Sequence, residues 1–357
     1  MNLQTVHAVP TRIHGGTDAL GLPVFDFSTN SNACGPCPTV KIAVAQADAA
    51  HYPDASYTAL RGKLAAFHAV EPWRIVIAGS ASEFIFRITA LAKLQDVSAV
   101  FVPPHSFGDY THAAHAWGLS LVIDAQNAGL IWHCQPSSPL GKVHADVAEV
   151  SLNAIHVLDL AYAPLQLSGG ARMDSRLRGN DGSKDGSNDG LNGGSHSAVW
   201  QLYSPNKALG LTGVRAAYAI APLGSEKLVH QLSGLSASWP LGAHGVALLD
   251  SWVSADVQTW LTHSLQTLQV WKMRQIVWLE SLGWMCQPSV TNFFCATPKL
   301  PSGLTLEQVL ATLRQQGIKL RDTSSFGLPG QVRVSVQPPA AQDALKTALQ
   351  TGRSSLQ

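Results

Sequence analysis

The segment 202–218, which reads LYSPNKALGLTGVRAAY, limits what this chain can be more than any other stretch. A β-prone run breaks at Ser204 and Asn206 and delivers a single lysine, Lys207, with Arg215 eight residues later. A lysine amine can form a Schiff base with a carbonyl once its pKa is lowered, and an arginine can bind phosphate through two hydrogen bonds. The segment therefore predicts a cleft for a phosphorylated carbonyl cofactor. The alternative is a surface lysine and a surface arginine on a connecting loop.

This segment resembles the lysine segment of fold-type I pyridoxal-phosphate enzymes, in the branch that holds histidinol-phosphate aminotransferase and L-threonine-O-3-phosphate decarboxylase. The family pattern is a Ser or Thr, two residues, the lysine and then an arginine eight residues later, and Ser204, Lys207 and Arg215 match it. The resemblance implies pyridoxal 5'-phosphate as cofactor, with Lys207 catalytic and with Ser204, Asn206 and Arg215 as cofactor contacts. It implies an α/β fold, with a large domain built on a mainly parallel seven-stranded sheet flanked by helices and a small C-terminal α/β domain.

Length and composition agree with such a fold. The chain has 357 residues, of which 46% are hydrophobic and 13% charged, so it can bury a large core and is long enough for a large and a smaller domain. Its net charge of +1 gives no electrostatic reason to bind nucleic acid or an anionic membrane. No apolar run is long enough to span a bilayer, so we expect a soluble cytoplasmic protein.

The resemblance covers nearly the whole chain and suggests its division. Residues 1–45 form an N-terminal arm and the start of the small domain, 46–240 the large cofactor-binding domain, and 241–357 connecting helices and the C-terminal small domain. Residues 170–196 are dominated by Gly, Ser, Asn and Asp, which predicts a flexible insert. Apolar runs predict strands at 74–78, 99–102, 155–159, 199–203, 291–296 and 332–336, and helices at 265–284 and 305–317.

The N-terminal arm carries His14, Gly15 and Gly16, followed by the sequence DFSTN that ends at Asn30. On its own this pattern predicts an extended arm and an Asn-rich turn. The combination resembles the beginning of threonine-phosphate decarboxylases, which implies that Asn30, and with it His14, Gly15 and Gly16, contacts the substrate. Further along, Tyr52 begins the sequence YPD. The resemblance implies that Tyr52 reaches the cofactor phosphate of a partner subunit, in a homodimer with shared active sites.

Three further stretches supply cofactor candidates. The turn 79–83, GSASE, precedes a helix, and small residues there let backbone N–H groups approach an anion, which with the resemblance points to Ala81 and Ser82. Phe107 follows a strand end, where an aromatic ring either stacks on a flat cofactor or simply packs. Asp159 ends an apolar strand, where a carboxylate is costly to bury without a cation. The family's D-x-A-Y pattern implies that Asp159 binds a pyridine nitrogen and that Tyr162 reaches the ring oxygen; the alternative is an aspartate that caps a turn.

One stretch departs from the family pattern, and another matches it. Ser138 stands where the family usually has an asparagine that contacts the ring oxygen, and a serine side chain is one heavy atom shorter. Near the C-terminus, Arg333 and Arg321 lie in segments that resemble the family's two arginine segments. The resemblance implies that Arg333 binds the substrate carboxylate and that Arg321 faces its phosphate.

Two other patterns suggest chemistry that we do not expect here. The sequence CGPC at 34–37 has the letters of a redox centre, but it lies in a turn rich in Asn, Gly and Pro with no strand leading into it. His105, His112 and His115 have no carboxylate or cysteine to complete a ligand set, so we expect no metal.

The resemblance leaves the reaction open, because the bond that breaks at the substrate's Cα depends on which group is held perpendicular to the cofactor ring. The leading expectation is decarboxylation of L-threonine O-3-phosphate to (R)-1-aminopropan-2-yl phosphate in cobalamin biosynthesis. The first alternative is an aminotransferase of the histidinol-phosphate type. The second alternative is a cofactor-binding protein with little catalysis, which serves as a scaffold or regulator.

Overall fold

The computed structural model describes residues 14–143, 154–167 and 198–354, with side chains as far as residue 351. The predicted insert at 170–196 lies outside the described residues. In the described part of the chain, no helix is both long and apolar enough to cross a membrane.

The helices are α1 Pro38–Ala45, α2 Thr58–His68, α3 Ala81–Leu94, α4 Gly108–Ala116, α5 Glu226–Gly234, α6 Ala243–Trp252, α7 Ala255–Ser281, α8 Leu306–Gln315 and α9 Pro339–Ser354. The strands are β1 Phe25–Asp26, β2 Ile75–Ala78, β3 Ala99–Phe101, β4 Ser120–Val122, β5 Leu130–Cys134, β6 Ile155–Asp159, β7 Trp200–Tyr203, β8 Ala217–Ile220, β9 Met285–Cys286, β10 Phe293–Thr297, β11 Ile318–Lys319, β12 Arg321–Asp322 and β13 Val332–Ser335.

The largest sheet has seven strands in the order β2-β8-β7-β6-β5-β3-β4. β8 is antiparallel to both of its neighbours, and the remaining adjacent pairs from β7 to β4 are parallel. Strands such as β2, IVIA, and β8, AYAI, are apolar and buried at every position, as expected for a sheet covered on both faces. The predicted seven-stranded, mainly parallel sheet is therefore confirmed.

The parallel register brings the ends of three strands together. Cys134 at the end of β5 pairs with Asp159 at the end of β6, and Asp159 pairs with Leu202 on β7, one strand residue before Tyr203. Ligands of open α/β sheets bind outside the carboxyl ends of the strands. The side chains that follow β5, β6 and β7 consequently meet at one edge of the sheet.

Two smaller sheets lie on the C-terminal part of the chain. β12, β13, β10 and β9 form an antiparallel sheet, and β1 pairs in parallel with β11, which ties the N-terminal arm to that part. The predicted helix at 265–284 belongs to the longer α7, which begins ten residues before it because the side chain of Ser254 accepts a hydrogen bond from the backbone of Val257. The other predicted strands and the helix at 305–317 occur within a few residues of the expected bounds.

Candidate active site

A cavity of about 930 Å³ opens at the carboxyl edge of the large sheet. Many of the predicted site residues line it: His14, Gly15, Ala81, Ser82, Phe107, Ser138, Asp159, Tyr162, Ser204, Asn206, Lys207 and Arg215. Thr29, Cys134 and Thr212 also line it, and sequence patterns did not identify them. Asn30, Gly16, Arg321, Arg333 and Tyr52 are not part of the lining, although Asn30 and Arg333 contact residues that are.

Lys207 lies in a tight turn after β7. Its ammonium nitrogen is 5.2 Å from the centre of the Tyr162 ring. Ser204 Oγ donates a hydrogen bond to Asn206 Oδ1 (2.9 Å), and Asn206 Nδ2 donates to the carbonyl of Val214 (3.4 Å), one residue before Arg215. Asn206 thus holds the lysine turn and the arginine turn together, which accounts for an amide at this position.

The CGPC segment packs against the turn that carries Lys207. The backbone N–H of Cys37 donates to the carbonyl of Leu209 (2.8 Å), and a Cβ on Gly210 would lie 2.8 Å from the carbonyl oxygen of Gly35. Burial raises the pKa of both the Cys34 and the Cys37 thiols, whereas a redox centre needs a lowered one. The segment is therefore a packing turn, and both cysteines are free.

Asp159 is a buried carboxylate, 4% exposed, at the end of β6. Tyr110 donates its hydroxyl hydrogen to Asp159 Oδ2 (2.6 Å), and the backbone N–H of Ala161 donates to Oδ1 (2.9 Å). Burial raises the pKa of Asp159, and these hydrogen bonds together with the charge of Lys207 oppose that rise. The carboxylate is thus oriented by two neutral donors at a place where a cationic ring nitrogen would offset its burial.

The turn between β2 and α3 is braced by an ion pair. Glu83 Oε2 accepts from the backbone N–H of Gly79 (3.1 Å), and Glu83 Oε1 lies 2.9 Å from Arg87 Nε. Arg87 also donates to the carbonyl of Ile77 (2.7 Å), the β2 residue just before the turn. This brace fixes the first turn of α3, where Ala81 and Ser82 line the cavity and where backbone N–H groups favour an anion.

Close backbone contact explains the two glycines of the arm. A Cβ on Gly15 would collide with the carbonyl oxygen of Ser28. Gly16 has a φ of +87°, and its N–H donates to Ser28 Oγ (2.8 Å). The two glycines bring His14 into the cavity, 6.3 Å from the ring of Phe107, so Gly16 positions the arm and does not itself reach the cavity.

Asn30 and Tyr162 form a hydrogen bond close to Lys207. Asn30 Nδ2 donates to the Tyr162 hydroxyl (3.2 Å), and both residues are buried. Within the described residues, Asn30 Oδ1 has no hydrogen-bond partner. A buried carbonyl oxygen without a donor is costly, which makes Asn30 a candidate acceptor; its predicted contact with the substrate stays a prediction.

Two arginines from the smaller antiparallel sheet flank one phenylalanine. The guanidinium carbons of Arg321 and Arg333 lie 4.8 and 5.6 Å from the centre of the Phe326 ring. Arg333 donates to Ser138 Oγ (3.3 Å) and to the carbonyl of Ser28 (3.1 Å), and its Nε has no partner in the described part of the chain. Burial, and then the charge of Arg333, lowers the pKa of Arg321 to about 10. The pair concentrates positive charge where an anionic substrate would offset it.

Tyr52 lies away from the cavity of its own chain. Its side chain is 78% exposed and stacks on Trp239, with ring centres 4.4 Å apart. The predicted action of Tyr52 across a dimer stays a prediction. Of the histidines, His105 contacts the carbonyl of Phe326 (2.7 Å), and the described residues include no cluster of three His, Cys, Asp or Glu side chains suited to a metal.

The donor set fits a phosphorylated pyridine carbonyl compound. The buried carboxylate of Asp159 suits the ring nitrogen of such a compound, and the amine of Lys207 suits its carbonyl group. The N-terminus of α3, with Ser204 and Arg215, offers a phosphate site. Phe107 supplies an aromatic ring in the same lining. All of the residues that the sequence analysis assigned to the cofactor line this cavity except Tyr52, and their contacts with the cofactor stay predictions.

Known proteins are similar to this chain in sequence and in fold. Histidinol-phosphate aminotransferase of Jannaschia sp. (strain CCS1) is 26% identical over 347 residues, which cover 92% of this chain and 90% of that protein. The structure of L-threonine-O-3-phosphate decarboxylase from Porphyromonas gingivalis superposes with a TM-score of 0.74 at 19% identity, covering 92% of this chain and 99% of that one. Histidinol-phosphate aminotransferase from Sinorhizobium meliloti, in complex with pyridoxal-5'-phosphate, gives a TM-score of 0.73 at 20% identity, covering 92% and 90%.

The family model for aminotransferase class I and II matches residues 23–351, from just before β1 to the last turns of α9. This chain therefore belongs to the aminotransferase class I and II family and is an enzyme that depends on pyridoxal phosphate.

Proposed function

We propose that this enzyme is an aminotransferase of the histidinol-phosphate type, which moves an amino group between a phosphorylated amino compound and a keto acid. The observation that carries the proposal is the pair Arg321 and Arg333, which are paired across neighbouring strands and both lie close to the Phe326 ring, beside the cavity that contains Lys207. Two buried cations suit a phosphate on one substrate and a carboxylate on the other. The leading expectation from the sequence was the decarboxylase. The curated relatives support the aminotransferase better than the decarboxylase.

In this proposal pyridoxal phosphate supplies an electron sink for the bonds at the substrate's Cα. Asp159 would hold its ring nitrogen, Tyr162 and Ser138 its ring oxygen, and Phe107 one face of the ring. Its phosphate would be held by this set: Ala81, Ser82, Ser204 and Arg215. Asn206 would act indirectly, by holding the two turns in place.

Lys207 is the residue placed to move a proton at the substrate's Cα. Its amine lies over the Tyr162 ring, and the Tyr162 hydroxyl accepts a hydrogen bond from Asn30. Proton transfer by a side chain requires that it reach the proton on the reacting carbon, and Lys207 is the lysine in the lining of the cavity. The unpartnered Asn30 Oδ1 and the His14 ring would contact the substrate from the arm side.

Arg333 would bind the carboxylate of the keto acid, with Ser138 and the Ser28 carbonyl fixing its guanidinium plane. Ser138 therefore serves the arginine in this structure, which explains how a residue shorter than asparagine keeps a role here. Arg321, which donates a hydrogen bond to Ser325 Oγ (2.7 Å), would bind the substrate phosphate.

A homodimer would complete the site. Trp239, on which the exposed Tyr52 stacks, belongs to a loop that packs on the turn before α3, since a Cβ on Gly79 would lie 2.8 Å from the carbonyl oxygen of Pro240. Mixing Tyr52→Ala with Lys207→Ala subunits tests the proposal, because a hybrid dimer would then contain one intact site. Activity that appears only in the mixture would support action across the dimer; an inactive mixture of proven hybrid dimers would contradict it.

Decarboxylation of L-threonine O-3-phosphate is the second candidate. The arm favours it: His14 enters the cavity through the HGG sequence that resembles the decarboxylases, and the decarboxylase structure superposes over 99% of its length. In that case Arg333 would hold the carboxylate that leaves as carbon dioxide, and no keto acid would be needed.

One experiment separates the candidates. The cofactor-loaded protein is incubated with histidinol phosphate and 2-oxoglutarate, with glutamate as readout, and separately with L-threonine O-3-phosphate, with carbon dioxide as readout. Glutamate formation that Lys207→Ala abolishes is the expected result. Carbon dioxide release without amino transfer would overturn the proposal in favour of the decarboxylase.

A further inference from the structure

A lysine is buried outside the cavity, on the long helix α7. Lys272 is 6% exposed, and its ammonium group donates to the carbonyl oxygens of Ser289 (2.5 Å) and Thr291 (2.8 Å). In the described residues no carboxylate forms an ion pair with it, and burial lowers the pKa of Lys272 to about 8. A buried ammonium that meets only carbonyls costs free energy that an apolar side chain would avoid. Lys272 therefore has a role in the segment that contains these two carbonyls.

That segment, 289–293, contacts several parts of the chain that carry proposed site residues. The N–H of Val290 donates to the carbonyl of Gly141 (2.7 Å), in the loop that carries Ser138. The N–H of Leu167, in the stretch that follows Tyr162, donates to the carbonyl of Val290 (2.6 Å).

The same segment reaches the arm and the small sheet. Asn292 Nδ2 donates to the carbonyl of Ser31 (2.9 Å), next to Asn30. Phe293 packs edge-on against Tyr162, with ring centres 4.8 Å apart, and lies beneath the guanidinium group of Arg333. Four elements that carry proposed site residues thus contact a stretch of five consecutive residues.

The fit against the Ser138 loop is close. Gly141 has a φ of +65°, and a Cβ there would collide with the hydroxyl oxygen of Ser289. The hydroxyls of Ser289 and Thr291 lie 3.1 Å apart, and both approach the carbonyl of Phe293. The backbone carbonyls of the same two residues accept hydrogen bonds from Lys272 on α7.

We infer that Lys272 is a positioning residue, which fixes the segment 289–293 and through it the Ser138 loop, the stretch after Tyr162 and the substrate arginine Arg333. Without the ammonium group the two carbonyls lose their donor, and the segment is free to shift against Gly141 and Leu167. The inference uses the proposed function only for its kinetic readout, because Arg333 is the proposed contact for the keto acid.

Hydrogen exchange of the cofactor-loaded protein tests the inference without any substrate. Lys272→Met keeps the length of the side chain and removes the ammonium; Lys227→Met, exposed on α5, is the matched control. Because a hydrogen bond from a charged donor contributes about 1.5–3 kcal/mol, we expect exchange at Val290 and Leu167 to accelerate about tenfold or more. Exchange in β2, on the far side of the large sheet, should not change.

The kinetic readout then follows the same variants. We expect the KM for the keto acid to rise with little change in kcat, and bound cofactor to be retained. Gly141→Ala presses on the same contact from the other side and should reproduce both effects, which keeps the test decisive if Lys272→Met does not fold. Unchanged exchange at Val290 and Leu167, or an equal acceleration throughout the chain, would overturn the inference, whichever substrate the enzyme uses.

Discussion

Asp159 shows how single residues make this site work. Its carboxylate lies at the end of a buried strand, and its two hydrogen-bond donors, the Tyr110 hydroxyl and the Ala161 N–H, carry no charge. The donors orient the carboxylate and oppose the rise in its pKa that burial causes. Tyr110 is itself held flat against Trp132, with ring centres 4.5 Å apart.

Tyr110→Phe tests this arrangement. The substitution removes the hydroxyl and keeps the ring stacked, so the pKa of Asp159 should rise further and its interaction with a cationic nitrogen should weaken. A hydrogen bond to a charged group contributes about 1.5–3 kcal/mol, so we expect kcat/KM to fall about tenfold or more and pyridoxal phosphate to bind more weakly. Titration of the apoenzyme with cofactor measures the second effect. An unchanged affinity for the cofactor would contradict this role.

The residues that sequence reasoning found and missed differ in a physical way. Lys207, Arg215, Asp159 and Tyr162 belong to patterns that are contiguous along the chain, so the sequence predicted them. Tyr110 acts on Asp159 from 49 residues away, and its partner can be known only once β5 and β6 lie side by side. The nearest signal was its position on the helix turn that follows Phe107.

At the scale of elements, β5 and β6 carry a pair of histidines on the face turned away from Asp159. His133 Nε2 lies 3.3 Å from His156 Nδ1, and the rings are nearly parallel. Burial, and then His156, lowers the pKa of His133 to about 4 from its usual 6.5. The unfolded chain therefore binds a proton between pH 6.5 and 4 that the folded chain does not.

This difference predicts how stability depends on pH. The contribution from His133 is fully present above about pH 6.5 and is lost as the pH falls towards 4. We expect His133→Gln to flatten the decline of the urea midpoint over this range, whereas His263→Gln, on an exposed residue of α7, should leave it unchanged. Equal slopes in His133→Gln and wild type would show that another group is responsible.

The N-terminal arm is a second element with its own attachment. Asp18 forms ion pairs with Arg314 (2.7 Å) and Lys319 (2.8 Å), and Lys319 also donates to the carbonyl of Gly16 (2.6 Å). Hydrogen bonds from Arg314 and then Lys319 hold the pKa of Asp18 well below its usual range. The attachment is therefore present above the ordinary aspartate pKa and weakens only in strong acid.

Asp18→Asn should loosen the arm. Because the arm brings His14 into the cavity, we expect a several-fold increase in the KM for the phosphorylated substrate with a smaller change in kcat. Asp96→Asn, which changes an exposed aspartate distant from the arm, is the control. Limited proteolysis should also cleave the arm faster in Asp18→Asn; equal cleavage rates and equal KM values would contradict the attachment.

Sequence patterns predicted elements unevenly. β2 and β7 were found because most of their residues are apolar, and β13, VRVS, because its apolar residues alternate with polar ones. β4 is a short, largely exposed strand, and β5 ends in His133 and Cys134, so neither gave a signal as a strand, although β5 is central to the sheet. Their presence was implied only by the family resemblance to a seven-stranded sheet.

At the scale of the whole molecule, the residues of the proposed active site come from three parts of the chain. The large sheet supplies Asp159 and Lys207, the small antiparallel sheet supplies Arg321 and Arg333, and the arm supplies His14 and Asn30. The pairing of β1 with β11 supports the predicted grouping of the arm with the C-terminal part. The boundaries near residues 45 and 240 stay a prediction.

The most direct test of the proposed amino transfer is the half-reaction with an amino donor alone. Cofactor-loaded enzyme is mixed with L-glutamate in the absence of any acceptor, and 2-oxoglutarate is counted per site. The account predicts one equivalent of 2-oxoglutarate in the wild type and none in Lys207→Ala. An enzyme that forms no keto acid from L-glutamate or from histidinol phosphate, while it releases carbon dioxide from L-threonine O-3-phosphate, would contradict it.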